Sequence, residues 1–241
     1  TDVGIAAHQQ VGPFNELWLF LHLDAVQDKL SGLRVSSDPY IGLWMTAAHN
    51  LEASIELHAD STLRTAADAL LLHQHYLGTQ ITVTPATWAP LLSLSGRIGR
   101  IADVDAQRVR PGGDLHLGLA TRPTARLEFE PSWDVAWIQR DGQRTFRENA
   151  LQVLAVWHFD ARQSLRAIVQ RKGMERLAEP GVAASRDRST LGSLTYAWRQ
   201  SAGNVLYLGL NRSAIGLGRP VRSNEAFIKL QVDIDSVRTA F

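Results

Sequence analysis

The sequence predicts an all-β protein, an antiparallel up-and-down transmembrane β-barrel of about 12–14 strands. Short segments alternate strictly between apolar and polar residues along most of the chain, which sorts side chains onto two faces of a sheet. One run, Thr124 to Gln139, keeps that alternation far beyond the roughly 5–6 residues of an ordinary strand. It matches the roughly 9–11 tilted residues that a strand needs to cross a bilayer. Short connections alternate with long ones, as in barrels with short turns at one end and longer loops at the other.

Totals set the outer bounds. The 241 residues carry 25 Lys and Arg against 24 Asp and Glu, a formal charge of +1, and this removes the electrostatic case for nucleic acid. Cysteine is absent, which excludes thiol-redox, disulfide and Cys-zinc chemistry. No apolar run approaches the ~20 residues of a membrane helix, a test that a β-barrel escapes because only every second residue must be apolar. The opening residues TDVGIAAHQQVGP have neither a basic region nor an apolar stretch of an export signal. The reading therefore expects a processed product or the tail of a longer protein. No linker interrupts the pattern, so residues 1–241 read as one domain.

The elements follow in order. After Gly12-Pro13, Leu17, Leu19, Leu21 and Leu23 alternate with Trp18, Phe20 and His22. Lys29 to Pro39 reads as a polar link. Tyr40–Ala48 and Leu51–Asp60 read as a hairpin across His49-Asn50. Ser61 to Leu77 also suits an amphipathic helix; the preferred reading is a strand over Ala69–Tyr76 with Gln80–Thr84 as its partner. Leu91–Ile101 is a further strand, and Asp103–Gly113 a polar loop. From Asp114 the pattern is regular: Leu115, Leu117 and Leu119, a tight turn at Arg122-Pro123, the long run, and a hairpin signal at Asp141-Gly142. Leu151–Phe159 follows, then a turn at Asp160–Arg162 and the strand with Leu165, Ala167 and Val169. A long charged loop is expected over Arg171–Arg188, a strand around Leu194–Trp198, a turn at Ser201–Asn204 and a strand with Leu206, Leu208 and Leu210. A second long loop, Ser213–Asn224, precedes the last strand, Ile228–Ile234. Pro131 withholds a ladder hydrogen bond, so a bulge, a bend or the membrane boundary is expected there.

Two sets of site residues follow. The polar face offers Glu52, Glu56, His58, Arg126, Glu128, Glu130, Asp134, Gln152, His158, Arg166, Gln170, Lys229, Gln231 and Asp233 as lining of a wet lumen. Trp18, Trp44, Trp133, Trp137, Trp157, Tyr196 and Trp198 are candidates for aromatic girdles at the membrane interfaces. No cofactor or metal is expected. His73-x-His75 could place two imidazoles on one strand face, but a third ligand is not identifiable. Glu128 and Glu130 stand about 6–7 Å apart along a strand, near the range of a glycosidase pair. The plainer reading pairs them with Arg126 or Arg166. No nucleotide or nucleophile-elbow motif occurs.

The order of several segments resembles a family. GGDLHLGLATRPTARLEFEPSWDVAW, LQVLAVWHFDARQSLRAIVQRKG, LGSLTYAWRQSAGNVLYLGLNRS and EAFIKLQVDI are similar to the closing hairpins of DUF5916-type outer-membrane proteins. GPFNELWL, GLWMTAAHNLEASIEL and GRIADVDAQRVRPGGDLHL are similar to upstream barrel segments of that family. Its members join a carbohydrate-binding-family-9-like domain to a C-terminal barrel. The resemblance implies the bacterial outer membrane, its lipid as surroundings, and a further chain or N-terminal domain as partner. The function expected is a non-enzymatic pore, transport component or surface anchor. Two other readings stand beside it: a soluble β-barrel that shields Leu206, Leu208 and Leu210 around an apolar ligand, and a carbohydrate-active enzyme using Glu128 or Glu130.

Overall fold

A computed structural model describes residues 2–7, 11–65, 70–201, 203–217 and 219–233. It is all-β and antiparallel. The first strands are β1 (Asp2–Ala7), β2 (Phe14–His22), β3 (Ala25–Gln27), β4 (Arg34–Ser37) and β5 (Tyr40–Ala47). Next come β6 (Leu51–Arg64), β7 (Leu71–Val83), β8 (Leu91–Asp103), β9 (Arg108–Thr124) and β10 (Leu127–Arg140). The last are β11 (Gln143–His158), β12 (Gln163–Arg176), β13 (Ser185–Arg199), β14 (Val205–Ile215) and β15 (Val221–Gln231). Thirteen strands follow one up-and-down path from β1 through β2 and β5 to β15. The β3–β4 hairpin stands off this path and joins it where β4 pairs with β6. Because thirteen alternating strands start and end in the same direction, β1 and β15 run parallel to each other. No pairing joins them among the described residues.

Turn chemistry fixes the hairpins. His49 and Asn50 both sit in the left-handed region (φ 61° and 51°), as do Asp141 and Gly142 (φ 50° and 79°). Two such residues make the turn whose twist matches the flanking strands. At 159–162, the Asp160 carboxylate accepts the backbone N–H of Arg162 and Gln163 at 2.7 and 2.8 Å and tightens the bend.

Several expected boundaries shift, mostly because strands run on past their apolar residues. The link Lys29–Pro39 contains β4. Leu77, Gly78 and Thr79 lie inside β7, so the expected partner Gln80–Thr84 is, up to Val83, the second half of that strand. The expected start at Ala69 and the expected end at Ile234 lie outside the described residues. Most of Asp103–Gly113 belongs to β8 and β9, and Arg122-Pro123 is inside β9; its turn comes at 125–126. Arg171–Arg188 shrinks to a connection over 177–184. Ser213–Asn224 shrinks to 216–220, no longer than the 200–204 turn, so the regular alternation of short and long connections is lost. Pro131 keeps its register with Val153 on β11. The bulge toward β9 falls between Leu127 and Phe129 instead.

Register carries each face across the sheet. Leu17, Met45, Ala53, Ile81, Leu94, Leu117, Trp133 and Leu151 form one row. Trp18, Trp44, Ser54, Gln80, Ser95, His116 and Asp134 form a row on the opposite face. Burial is inverted relative to a soluble protein. Buried residues include His58, Thr62, Gln74, Asp103, Arg110 and Arg176, whereas Leu19, Leu57, Ile98, Val169, Leu210 and Ile228 are exposed.

Candidate functional site

The polar face is the inside of a curved sheet. Asp103 ends β8 and Arg176 ends β12, four inter-strand steps away, or ~19 Å across a flat sheet. Yet Arg176 Nη1 donates to Asp103 Oδ1 at 3.0 Å and Oδ2 at 3.2 Å. Only curvature toward the polar face brings the two side chains together.

Around that contact lies a network at the end of the sheet where 104–107, 141–142 and 177–184 turn. Asp103 is fully buried. Arg176 also meets Asp105 at 3.1 Å and lies 4.7 Å over the Phe146 ring. Arg110 meets Asp103 at 3.4 Å and grips Glu179 with two parallel bonds of 2.7 and 2.6 Å. Arg140 approaches Glu179 at 3.5 Å. The bidentate Arg110 bond, opposed by desolvation and helped by the Arg110 charge, lowers the Glu179 pKa to about 2.

A second constellation runs across β2, β5, β6, β7 and β8 on the same face. Trp18 contacts Phe20 at 4.7 Å between ring centroids, and Phe20 meets Tyr40 edge-on at 5.9 Å. Tyr40 lies 4.4 Å from the buried His58, which stacks on Tyr76 at 4.1 Å. Arg97 covers the Tyr76 ring at 5.6 Å and bonds Asp114 at 2.5 Å. His58 is held at both nitrogens, by Asp38 at 2.7 Å and Glu56 at 3.4 Å. Because the rings cover one another's faces, this ladder rigidifies the wall and leaves few free aromatic faces for a ligand.

The lumen candidates with strand positions share this face. Glu52 accepts from Trp44 Nε1 at 3.0 Å. Asp134 meets His116 at 2.7 Å. Glu128 meets Arg122 at 3.0 Å and His158 at 3.5 Å, so its partners are neither Arg126 nor Arg166. Gln152 and Gln170 face each other across β11 and β12, and Lys229 lies 5.9 Å from the Tyr207 ring. Glu130, Arg166 and Gln231 share the face through their register. Arg126 belongs to the 125–126 turn, and Asp233 follows β15, its N–H bonded to Asn204.

The girdle candidates divide. Trp133, Trp137, Trp157, Tyr196 and Trp198 share the apolar face. Trp18 and Trp44 pair with each other on the polar face, in the same row as Ser54, which corrects the expectation for these two. Leu127, Phe129 and Val135 also lie on the apolar face, and Leu208 and Leu210 are exposed there, not shielded in a sealed core. His73 meets Asp60 at 2.7 Å and His75 bonds the Ala59 carbonyl, so each is engaged within its own hairpin. Among the described residues no cluster of three metal-ligating groups occurs.

The ion-pair network was not legible in the sequence. Its members fall in segments read as loops and meet only through curvature. Comparison with protein-family models, curated proteins and solved structures gave no match.

Proposed function

We propose that this chain forms the wall of a bacterial outer-membrane β-barrel, of the DUF5916-type C-terminal kind, acting as a pore or transport component and not as an enzyme. One observation carries the reading: the apolar face is exposed while Asp103, Arg110 and Arg176 are buried on the opposite side of the sheet. Supporting it, the apolar run from Leu127 to Trp137 is ~33 Å long at about 3.3 Å per residue, or ~23 Å when tilted by about 45°. That is close to the ~25 Å apolar band of such barrels. Trp157 lies opposite Leu127 at one border, and Trp137 opposite Arg147 at the other. The polar groups inside are largely paired with one another, which suits a hydrated wall better than an acid–base site. Single-chain bacterial barrels use even strand numbers. With β1 and β15 parallel, antiparallel closure takes at least one strand beyond the thirteen on the described path.

The test is reconstitution. The chain should need detergent or lipid to stay monodisperse, and should resist protease across β5 to β14 once in vesicles. A chain that is folded and monodisperse without either sinks the proposal.

A further inference from the structure

The outward face of β11–β15 changes character along the strands. Toward the 200–204 turn it is apolar, with Leu165, Tyr196, Leu208 and Ile228 in one row and Ala167, Leu194, Leu210 and Ala226 in the next. Beyond these it becomes basic. Arg212 occupies the row of Val169 and Gly192, Arg171 and Arg222 the row after that, and Arg188 and Arg147 lie further toward the 177–184 connection. With Arg186 this makes six arginines against Glu175, whose contact with Arg186 is a loose 3.9 Å. Arg147, Arg171, Arg188, Arg212 and Arg222 have no side-chain hydrogen bond or ion pair among the described residues. Several cations on the inner face are ion-paired, although Arg166 and Lys229 there have no carboxylate partner among the described residues. Lys172, Arg97, Arg110 and Arg176 are each matched to a carboxylate.

Two hollows lie at this border. One, about 590 Å³, has Trp133 and Leu151 as its floor and Arg171 and Arg188 as its rim. Gly173 opens it by leaving a gap between Asn149 and Arg188. The other is an apolar trough of about 650 Å³ at Gly192, walled by Val169, Leu194 and Leu210 and closed at its basic end by Arg212. Each hollow is continuous with the apolar band and ends under unpaired guanidinium groups.

From this, and resting on the membrane-barrel reading, we infer that this outward surface binds a membrane lipid with a phosphorylated anionic headgroup. Arg171, Arg188 and Arg212 hold the phosphate, and the troughs at Gly173 and Gly192 seat the acyl chains. The occupant must be amphipathic because the hollows are. It must be anionic because six arginines face outward against Glu175, while Asp187 and Glu225, which also border hollows here, belong to the inner face by their register. A guanidinium fork suits a phosphate oxygen pair. Arg171 and Arg188 sit diagonally on adjacent strands, with Cβ atoms somewhat under ~7–8 Å apart, a span one headgroup can bridge.

The experiment uses the full chain in phosphatidylcholine vesicles doped with phosphatidylglycerol. One arm measures quenching of Trp133 by brominated phosphatidylglycerol and by brominated phosphatidylcholine. The other counts the lipids retained on the extracted protein by native mass spectrometry. Wild type should retain phosphatidylglycerol preferentially. A cation near an anionic headgroup is worth about fivefold in partitioning, so Arg171→Gln/Arg188→Gln/Arg212→Gln should lower the preference at least tenfold. The triple Lys form should keep most of it, and Arg162→Gln, in the 159–162 turn at the opposite end, should not change it. Inorganic phosphate should not compete; displacement by it would mean a soluble-anion site and overturn the assignment. Equal preference in wild type and the triple Gln variant, both inserted, overturns this inference alone. Absence of any quenching on the apolar face overturns the barrel reading and this inference together.

Discussion

Replacing Asp103 by Ala should destabilise the curved sheet severely. Asp103 is fully buried and receives Arg176 at 3.0 and 3.2 Å and Arg110 at 3.4 Å. Its removal leaves Arg176, itself buried, with only the solvent-exposed Asp105 as an acidic contact. Arg110 keeps Glu179, so most of the loss falls on one guanidinium. Breaking a buried pair by deleting one partner costs about 3–5 kcal/mol, because the surviving charge stays desolvated. The double variant Asp103→Leu/Arg176→Met should recover much of this, since an apolar pair of similar volume often does as well. The assay is urea-dependent unfolding from lipid vesicles, followed by tryptophan fluorescence, with the four-variant cycle giving the coupling energy. A single variant within about 1 kcal/mol of wild type would refute the claim that curvature brings β8 and β12 together through this contact.

Other outcomes are also fixed by the structure. Glu179 titrates near 2 in the folded chain, below its ordinary 4.5. Its stabilising contribution is therefore complete above about pH 4.5 and is lost as pH falls through about 2. Acid unfolding of Glu179→Gln should lack that component, and an unchanged acid profile would contradict it. Val153→Arg, opposite Pro131 and midway along the Leu127–Trp137 run, places a charge on the apolar face and should cost about 2–4 kcal/mol. Gln152→Arg, on the polar face, should cost far less; equal costs would mean that the faces are misassigned.

Much of the architecture was legible because alternation is a local signal. The strands from Leu115 to Leu210 follow from which residues are apolar, and the turns at His49-Asn50 and Asp141-Gly142 from residues that tolerate the left-handed region. Alternation failed where strands rise past the apolar band. Residues 171–173, 185–190 and 222–225 are polar on both faces, so they read as loops although they are paired strand. The network of Asp103, Arg110, Arg176 and Glu179 was hidden for the same reason, and because no local spacing encodes a contact across four strands. Trp18 and Trp44 show a different limit. Tryptophan suits a membrane interface and a packed aromatic ladder equally, and only the parity shared with Phe20 and Ser54 distinguishes the two uses.

The central claim is that the face bearing Leu127 to Trp137 contacts lipid while the face bearing Asp134 and His58 does not. Single-tryptophan forms keeping Trp157 or Trp44, reconstituted into brominated-lipid vesicles, test it most directly. The account predicts strong quenching of Trp157 and little of Trp44. Equal quenching of the two, or quenching of Trp44 alone, would contradict it.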